Sequence, residues 1–251
     1  MDLRETDQAT DRRHPWELSR IRALRAIARN WDVVASEVKV LDTGCGDGFI
    51  IDELCAGSGA VIDAVDIHLT ADQARSFAAM RPGVQFHHDH TSLPGNSYGL
   101  LTMFDVLEHV PDDVTFLREI LSRFARPGAV FFCTVPAFQC LFSAHDQFLG
   151  HQRRYTQDGL HHVLARAGLR IRASGYLFAS LLPVRALVAL AEKVLGVAET
   201  RPGIGQWQGG RLLTSLLTGA LDIDNALLLG LNRVGITIPG LTVWAVCETL
   251  R

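Results

Sequence analysis

The chain has 251 residues, of which 48% are hydrophobic and 20% are charged. This length suits one large domain, or one domain with a substantial insertion, and the apolar fraction excludes a wholly disordered chain. The formal net charge of -3 provides no general attraction for phosphates, so we do not expect nucleic acid as a partner.

The cysteines indicate a reducing environment. Their number is odd and no C-x-x-C pair occurs, so neither a zinc knuckle nor a dithiol redox site is indicated. The N-terminal segment is polar and lacks an apolar signal core, and no uncharged apolar run reaches the roughly 18 residues of a membrane span. We therefore expect a cytoplasmic protein; contact with a membrane surface is an alternative that the sequence does not favour.

The N-terminal part, residues 1–35, is predicted to be a loose arm followed by one helix. Apolar residues recur every three or four positions from Pro15 to Trp31, which is typical of an amphipathic helix. Arginines at positions 20, 22, 25 and 29 are interspersed with these apolar residues. We expect the arginines to lie mostly on the solvated face of the helix.

Residues 36–178 alternate between short apolar runs and segments of helical length, and a last apolar run lies within residues 239–251. The predicted strands are residues 38–42, 60–66, 84–86, 99–104, 129–135, 169–178 and 241–250. The predicted helices are residues 49–55, 71–80, 112–124 and 156–167. This alternation predicts an α/β fold with a doubly wound, mostly parallel, seven-stranded sheet that binds ligands at the carboxyl ends of its strands.

Residues 179–238 are predicted to form a helical insertion before the last strand. Two segments, 181–195 and 212–231, have apolar residues at helical spacing, and a linker rich in glycine and glutamine (201–210) separates them. Such helices are too apolar to be free in water, so another surface must cover them. The alternatives are a lid over a lipophilic ligand, a homodimer interface, and contact with a membrane. Because the polar faces are not rich in lysine, we favour the lid and the homodimer.

A glycine-rich turn follows the first predicted strand. The segment Val40-Leu-Asp-Thr-Gly44-Cys-Gly-Asp-Gly48 ends the strand with a carboxylate and then alternates three glycines. Glycines permit positive φ and let a ligand approach the backbone closely. Dinucleotide-binding proteins use the spacing G-x-G-x-x-G instead, and a carboxylate beside the turn disfavours a pyrophosphate but suits a cationic ligand. A nicotinamide-dependent oxidoreductase is therefore disfavoured.

This turn resembles the cofactor-binding motif of the class I S-adenosylmethionine (SAM)-dependent methyltransferases, in particular the bacterial small-molecule subgroup, whose fold is a Rossmann-like sheet. The segments Met103–Val110 and Arg126–Ala129 resemble two further motifs of the family, in the same order and spacing. The resemblance covers about residues 38–177 and resumes at the last strand. It implies that the chain binds SAM and releases S-adenosylhomocysteine (SAH).

The resemblance also implies roles for individual residues. Asp66 ends the second strand, where the family binds both ribose hydroxyls, and Asp89 matches the position that bonds the adenine amine. Asp63 competes with Asp66 for the ribose, but it lies inside the strand. The predicted cofactor-binding residues are Asp42, Gly44, Cys45, Gly46, Gly48, Asp66, Ile67, Asp89, His90 and Asp105.

The loop after the fifth strand carries polar groups suited to the acceptor side. Its run H-D-Q-F-L-G-H-Q-R-R-Y (residues 145–155) resembles a segment of a bacterial methyltransferase subgroup. The predicted catalytic residues, one of them a general base, are His109, His145, His151 and Tyr155. Arg153 and Arg154 are predicted to bind an anionic acceptor, because guanidinium groups match carboxylate and phosphate. In the alternative interpretation, Arg154 pairs with Asp146 to hold the loop and Tyr155 only packs.

No metal ion is predicted. Three histidines, His87, His88 and His90, are close in sequence, but neighbouring side chains on an extended segment point to opposite faces, so at most some of them share an ion. An alternative remains open: a mononuclear site built from His109, His145 or His151 with Glu108 or Asp146.

These features together predict a SAM-dependent methyltransferase that acts on a small, partly apolar acceptor, which can be anionic. The alternatives are a SAM-binding enzyme that catalyses cyclisation or elimination, and a non-catalytic SAM-binding subunit. Methylation of nucleic acid is disfavoured, because the chain shows no basic patch interleaved with aromatic residues and no separate target-recognition segment.

Overall fold

A computed structural model describes residues 13–195 and 207–250 of the chain. Within these residues the chain forms a seven-stranded sheet flanked by helices. Two predicted segments lie partly outside the described residues: the N-terminal arm as far as residue 12, and the linker from residue 201 to residue 206.

The helices and strands follow the predicted alternation. The helices are α1 (Pro15–Asn30), α2 (Phe49–Cys55), α3 (Ala71–Met80), α4 (Asp113–Phe124), α5 (Ala144–Leu149), α6 (Gln157–Arg166), α7 (Leu182–Leu195) and α8 (Arg211–Arg233). The strands are β1 (Lys39–Thr43), β2 (Val61–Val65), β3 (Val84–His87), β4 (Tyr98–Phe104), β5 (Ala125–Pro136), β6 (Leu169–Leu177) and β7 (Thr242–Thr249). Helix α5 and two short 3-10 turns, Leu107–His109 and Gln139–Leu141, were not predicted.

The strand order confirms the doubly wound, mostly parallel sheet. The order is β3-β2-β1-β4-β5-β7-β6, and only β7 runs antiparallel to its neighbours among the described strands. The order in which the strands are added to the sheet reverses between β1 and β4, which are parallel and whose register pairs Asp42 with Thr102. Ligands bind such sheets at the carboxyl ends of the strands beside this switch point. The glycine turn after β1 and the turn after β4 therefore meet at the expected place.

Side chains that alternate along the strands form two apolar layers. Phe131 and Phe132 are adjacent in β5 and fully buried, and they belong to different layers. On one face, Phe131 packs with α4 and α6; on the other, Phe132 packs with α1, α2 and α8. The central strands are thus covered on both faces, which positions their carboxyl ends rigidly.

One arginine of α1 is buried, and this corrects the prediction of a solvated face for position 20. Arg20 is 1% exposed, whereas Arg22 and Arg29 are exposed as predicted. Its guanidinium forms an ion pair with Asp105 (Nη1 to Oδ2, 2.6 Å) and donates to the hydroxyl of Thr134 (2.7 Å). The pattern of α1 alone could not show this, because both partners come from distant parts of the chain, the turn after β4 and strand β5.

The inserted helices bury one side and expose the other. Asn225 of α8 donates to the Ser19 hydroxyl (3.1 Å) and accepts from the backbone N–H of Phe178 (2.9 Å), which ties α8 to α1 and β6. The exposed apolar residues of the two helices are Val184, Leu187, Leu190, Val194, Leu212, Leu213, Leu216, Leu217, Ile223 and Leu227. We call this set the apolar face of α7–α8. By length and composition α8 is also apolar enough to cross a membrane, and 22% of its most apolar stretch is buried. One such helix is weak evidence for a span.

Replacing Arg20 with Met is expected to destabilise the fold, because the substitution leaves Asp105 without its cation while keeping most of the buried side-chain volume. Removal of one partner from a fully buried pair costs about 3–5 kcal/mol. Solvent reaches 33% of the Asp105 side chain, so we expect a decrease of about 1–3 kcal/mol in the free energy of unfolding.

Chemical denaturation of the wild type and the variant measures this decrease. The matched control is Arg22→Met on the same helix, whose ion pair with Asp222 is exposed. We expect the control to change the free energy of unfolding by less than about 0.5 kcal/mol. Equal losses in both variants would contradict a special role for Arg20.

Candidate active site

The glycine turn after β1 adopts a backbone that only glycine accommodates well. Gly44, Gly46 and Gly48 have φ angles of 75°, 56° and 73°. A Cβ added to Gly44 would lie 2.4 Å from Cγ2 of Val106, so a side chain cannot fit there. The N–H groups of Gly44 and Cys45 donate to the carbonyl of Val65 (2.8 and 3.1 Å), which fixes the turn against the end of β2. The turn therefore leaves an open, side-chain-free surface beside the switch point.

Asp66 lies just beyond β2 and connects the glycine turn to the next loop. Its Oδ2 accepts from the N–H of Gly46 (3.0 Å) and its Oδ1 accepts from the N–H of His68 (2.9 Å). Its neighbour Ile67 is 66% exposed. Asp63 is buried in β2 instead, where it accepts from the Tyr98 hydroxyl (2.8 Å). Of the two acids, Asp66 is the one at the carboxyl edge of the sheet.

The loop after β3 places its histidines against separate partners. His87 Nε2 lies 2.8 Å from Asp63, and His88 Nδ1 lies 3.1 Å from the carbonyl of Leu69. His90 Nε2 lies 3.1 Å from the Thr43 hydroxyl, at the end of β1. The three rings thus have three different partners instead of a common centre.

Asp89 is exposed in this loop and held as a carboxylate. It accepts from the backbone N–H of Thr91 (2.7 Å) and from the Thr91 hydroxyl, and these bonds lower its pKa. Burial lowers the pKa of the neighbouring His90, so this ring is neutral near pH 7.

Asp42 is a buried carboxyl beneath the glycine turn. It is 3% exposed and accepts from the Thr102 hydroxyl (2.6 Å). Burial raises its pKa to about 7. Four carboxyl groups, those of Asp42, Asp66, Asp89 and Asp105, therefore lie at or near the ends of β1 to β4. These hydrogen-bond acceptors fit a ligand with hydroxyl and amino groups and a positive charge, as the sequence predicts for SAM.

The turn after β4 begins at Asp105, whose φ of 58° is unusual for a residue other than glycine. The N–H of Asp105 donates to the Thr134 carbonyl (2.9 Å), and the Thr134 hydroxyl donates to its carboxylate (3.1 Å). Arg20 completes this set of contacts. The chain then enters the 3-10 turn that carries Glu108 and His109, so the strained turn determines where these two side chains lie.

A second carboxylate, Asp146 of α5, organises the loop after β5. It accepts from the N–H of Ser143 (2.9 Å), from Arg154 Nε (2.7 Å) and from His151 Nδ1 (2.8 Å). Burial opposes ionisation of Asp146, but the hydrogen bonds from His151 and Arg154 outweigh it and hold its pKa well below the usual value. An ionised carboxylate only accepts, so Nδ1 of His151 carries a proton, and in the neutral ring the electron pair is on Nε2.

His151 faces the turn after β4. Its ring lies edge-to-face with that of His109, at 4.6 Å between centroids and 84° between planes. One potential ligand atom from each of Glu108, His109 and His151 lies within 4.8 Å of the others. Glu108 is fully buried, and neither of its carboxylate oxygens has a hydrogen-bond partner among the described residues. The structure thus brings together three polar groups from two predicted segments.

The remaining predicted acceptor-side residues contact the chain itself. Arg153 pairs with Asp113 (2.9 Å), and Arg154 pairs with Asp146 as in the alternative interpretation. Tyr155 is buried and donates to Asp113 (2.8 Å) and to the carbonyl of Leu107 (3.1 Å). His145 is exposed on α5. These contacts hold the loop, while roles toward an acceptor stay predictions for all four residues.

Comparison with known proteins identifies the relatives of this chain. A family model for a methyltransferase domain matches residues 12–174. The ubiquinone biosynthesis O-methyltransferase of Vibrio campbellii is 32% identical over 103 residues, which are 39% of this chain and 43% of that protein. The chain therefore spans less than half the length of the curated relatives it matches.

Two solved structures share the fold. One is geranyl diphosphate C-methyltransferase from Streptomyces coelicolor A3(2), solved with Mg²⁺, geranyl diphosphate and SAH. It has a TM-score of 0.58 at 13% identity, covering 91% of this chain and 79% of that one. The other is the [4+2]-cyclase SpnF, with a TM-score of 0.56 at 17% identity, covering 97% and 85%. At such identities the likeness concerns the fold alone.

Replacing Asp42 with Asn is expected to stabilise the protein in a pH-dependent way. The carboxyl has a pKa of about 7 in the folded state, above its ordinary value of 3.8, so the folded state binds the proton more tightly than the unfolded chain. The contribution of Asp42 to the free energy of unfolding therefore falls as pH rises from about 4 to about 7, and Asn does not titrate.

Urea denaturation between pH 4 and pH 7.5 measures the difference between the two proteins. We expect the smallest difference in the free energy of unfolding near pH 4, close to the ordinary carboxyl pKa of 3.8, and this point serves as an internal control. The advantage of Asp42→Asn should then grow to about 1 kcal/mol or more above pH 7, since one pKa unit corresponds to about 1.4 kcal/mol. A difference that is constant with pH would contradict the raised pKa.

Proposed function

The chain belongs to the methyltransferase-domain family of SAM-dependent enzymes, and from this premise we propose that it methylates a small, partly apolar acceptor at the Glu108–His109–His151 cluster. The observation that carries the proposal is the position of this cluster. It begins three residues beyond Asp105 and faces the loop after β5, so the cofactor side and a polar acceptor side adjoin at one edge of the sheet.

The residues of the glycine turn and the four acids would hold the cofactor. When bound, SAM supplies the methyl group on a positively charged sulfur. In this proposal Asp66 binds the ribose hydroxyls, Asp89 bonds the adenine amine, and the exposed side chain of Ile67 packs on the adenine. Gly44, Cys45, Gly46 and Gly48 contribute backbone, because the Cys45 side chain is buried. Asp105 supplies negative charge close to the switch point, and Asp42, whose pKa is about 7, adds to it when ionised. His90 orients the end of β1 through Thr43.

His151 is the proposed catalytic residue of the acceptor side. Asp146 holds its ring in one tautomer, and 9% of the side chain remains exposed. In this proposal Nε2 takes a proton from the acceptor or binds a cation that favours the release of that proton. His109 would contact the same acceptor. We assign Arg153, Arg154 and Tyr155 to positioning this loop, and His145 to its outer surface.

Helix α7 lies beside this loop and supports the lid interpretation of the insertion. Arg185 of α7 approaches the carbonyl of Leu141 (3.5 Å), in the 3-10 turn that follows β5. A lid at this position would exclude water from the transfer, which favours reaction with the acceptor over side reactions. The apolar face of α7–α8 would remain outside such a lid, and we propose that a second copy of the chain covers it.

The proposed partner is thus a small molecule, not nucleic acid, and the proposed location is the cytoplasm. The ubiquinone O-methyltransferase relatives suggest oxygen as the accepting atom. The second candidate is the alternative from the sequence, a SAM-binding enzyme that does not transfer the methyl group. Native mass spectrometry of the purified protein, followed by a test for SAH after incubation with hydroxylated aromatic and isoprenoid compounds, separates the two. Methyl transfer requires SAH to form, whereas cyclisation with retained SAM requires none.

Asp66→Ala is expected to weaken SAM binding by about ten- to a hundred-fold, because it removes charged hydrogen bonds to the ribose and leaves the N–H of Gly46 without its acceptor. Calorimetric titration with SAM measures the effect. Asp66→Asn keeps a hydrogen-bond acceptor without the charge and should give an intermediate affinity. The matched control, Asp72→Ala on the surface of α3, should bind SAM like the wild type. Unchanged affinity in Asp66→Ala would remove Asp66 from the cofactor site.

His151→Ala is expected to leave SAM affinity within about two-fold of the wild type while it lowers turnover by about a hundred-fold or more. Turnover is measured as SAH release with a responsive acceptor, and affinity by calorimetry. His162→Ala, an exposed histidine on α6, is the control and should change neither quantity. If both SAM affinity and turnover fell equally in His151→Ala, the residue would have a structural role instead.

A further inference from the structure

In the part of the chain that the structure describes, Glu108 is buried without the hydrogen bonds that a carboxyl group normally makes. The residue is fully buried, and both carboxylate oxygens lack hydrogen-bond partners among the described residues. Burying such a group without partners costs free energy, and the cost is larger when the group is charged. Such a group in a native protein calls for a specific explanation, and an ion that completes its contacts is one. The carboxylate therefore points to a missing positive partner.

The groups that face Glu108 are suitable co-ligands. His109 follows it in the same 3-10 turn, and His151 approaches from the loop after β5. The hydrogen bond from His151 Nδ1 to Asp146 leaves Nε2 of this ring as the nitrogen available to a ligand. A carboxylate that orients a histidine in this way is the usual outer partner of a metal-binding imidazole.

We propose that Glu108, His109 and His151 bind one divalent transition-metal ion, with Asp146 as the residue that orients His151. This inference deepens the proposed function, on which it rests for the role of the ion, by stating how the cluster engages the acceptor. The donor set is two imidazoles and one carboxylate, as in catalytic zinc sites and in non-haem iron sites. Mg²⁺ prefers oxygen donors alone, so the set favours Zn²⁺, Co²⁺, Mn²⁺ or Fe²⁺ over Mg²⁺.

The distances are close to those of such a site. Ligand atoms about 2.0–2.2 Å from one ion lie about 3 to 3.5 Å from each other in tetrahedral or octahedral geometry. The three groups here lie within 4.8 Å of one another, so rotations that move the ligand atoms by about 1 Å complete the shell. Three protein ligands leave at least one position open, as catalytic sites require.

The open position would hold the acceptor oxygen. Coordination lowers the pKa of a bound hydroxyl strongly, as it does for water. The O–H bond then breaks, its electron pair stays on the acceptor oxygen, and the proton leaves to solvent water. The acceptor presents an oxyanion to the methyl donor, and no oxidant or reductant is needed. The ion also balances the charge of Glu108, which accounts for its burial.

The test uses chelator-treated full-length protein and Co²⁺ as the probe, because bound Co²⁺ gives visible absorption that reports its ligands. We expect one equivalent of Co²⁺ to bind, Zn²⁺ to displace it, and Mg²⁺ to bind at least a hundred-fold more weakly. Glu108→Gln, His109→Ala and His151→Ala should each weaken Co²⁺ binding at least ten-fold. Asp146→Asn should weaken it about ten-fold, since it releases the orientation of His151.

His162→Ala is the matched control and should bind Co²⁺ like the wild type. Thermal unfolding verifies that each variant folds. If Glu108→Gln does not fold, the test rests on His109→Ala and His151→Ala, because the side chains of His109 and His151 are partly exposed. Absence of Co²⁺ and Zn²⁺ binding up to millimolar concentration would overturn the proposal. So would binding that the variants leave unchanged, or Mg²⁺ binding as tight as that of Zn²⁺.

Calorimetry with SAM on the metal-free protein separates this proposal from the proposed function. If no metal binds but His151→Ala still loses turnover with SAM affinity intact, the metal site is wrong and the proposed function stands. If Co²⁺ binds as expected but no acceptor yields SAH, the metal site stands and the proposed function is wrong.

Discussion

The ion pair between Arg20 and Asp105 is the contact on which the site depends. It joins the first helix to the turn after β4, and it is supported by the Thr134 hydroxyl of β5. Asp105 has a positive φ, a conformation that surrounding contacts must enforce. Because Glu108 and His109 come three and four residues after Asp105, the burial of one arginine in α1 determines where the acceptor side begins. A cation far away in sequence thus supports the geometry of the site without needing to touch a ligand.

A second arginine–carboxylate pair, Arg154 with Asp146, plays the same part on the opposite side of the site. It holds the loop after β5 and leaves one oxygen of Asp146 to orient His151. The separation between His109 and His151 is therefore set by two carboxylates on different elements, Asp105 and Asp146, each paired with its own arginine. Such anchoring on packed elements provides the positional precision that methyl transfer requires.

The strands and their order were predictable because buried parallel strands are short apolar runs separated by helices, and the glycine turn because its conformation excludes side chains. The burial of Arg20 was not predictable, since its partners are more than eighty positions away and α1 alone looks amphipathic. The partners of Arg153 and Arg154 were equally hidden, because an exposed ligand-binding arginine and a loop-holding arginine have the same sequence pattern. From the sequence, Glu108 was only one of several possible metal ligands. That its carboxylate has no hydrogen-bond partner among the described residues is visible only in the packed structure.

The position of β7 between β5 and β6 has a consequence for how the chain folds. β5 and β6 are joined in one sheet only through β7, which follows both inserted helices in the chain. A long loop must therefore close before β7 can pair with β5 and β6. Until then two strand edges remain open next to strongly apolar helices, a combination that favours pairing with other chains. We expect refolding to be slow at this step and its yield to fall with protein concentration, although the finished sheet conceals both edges.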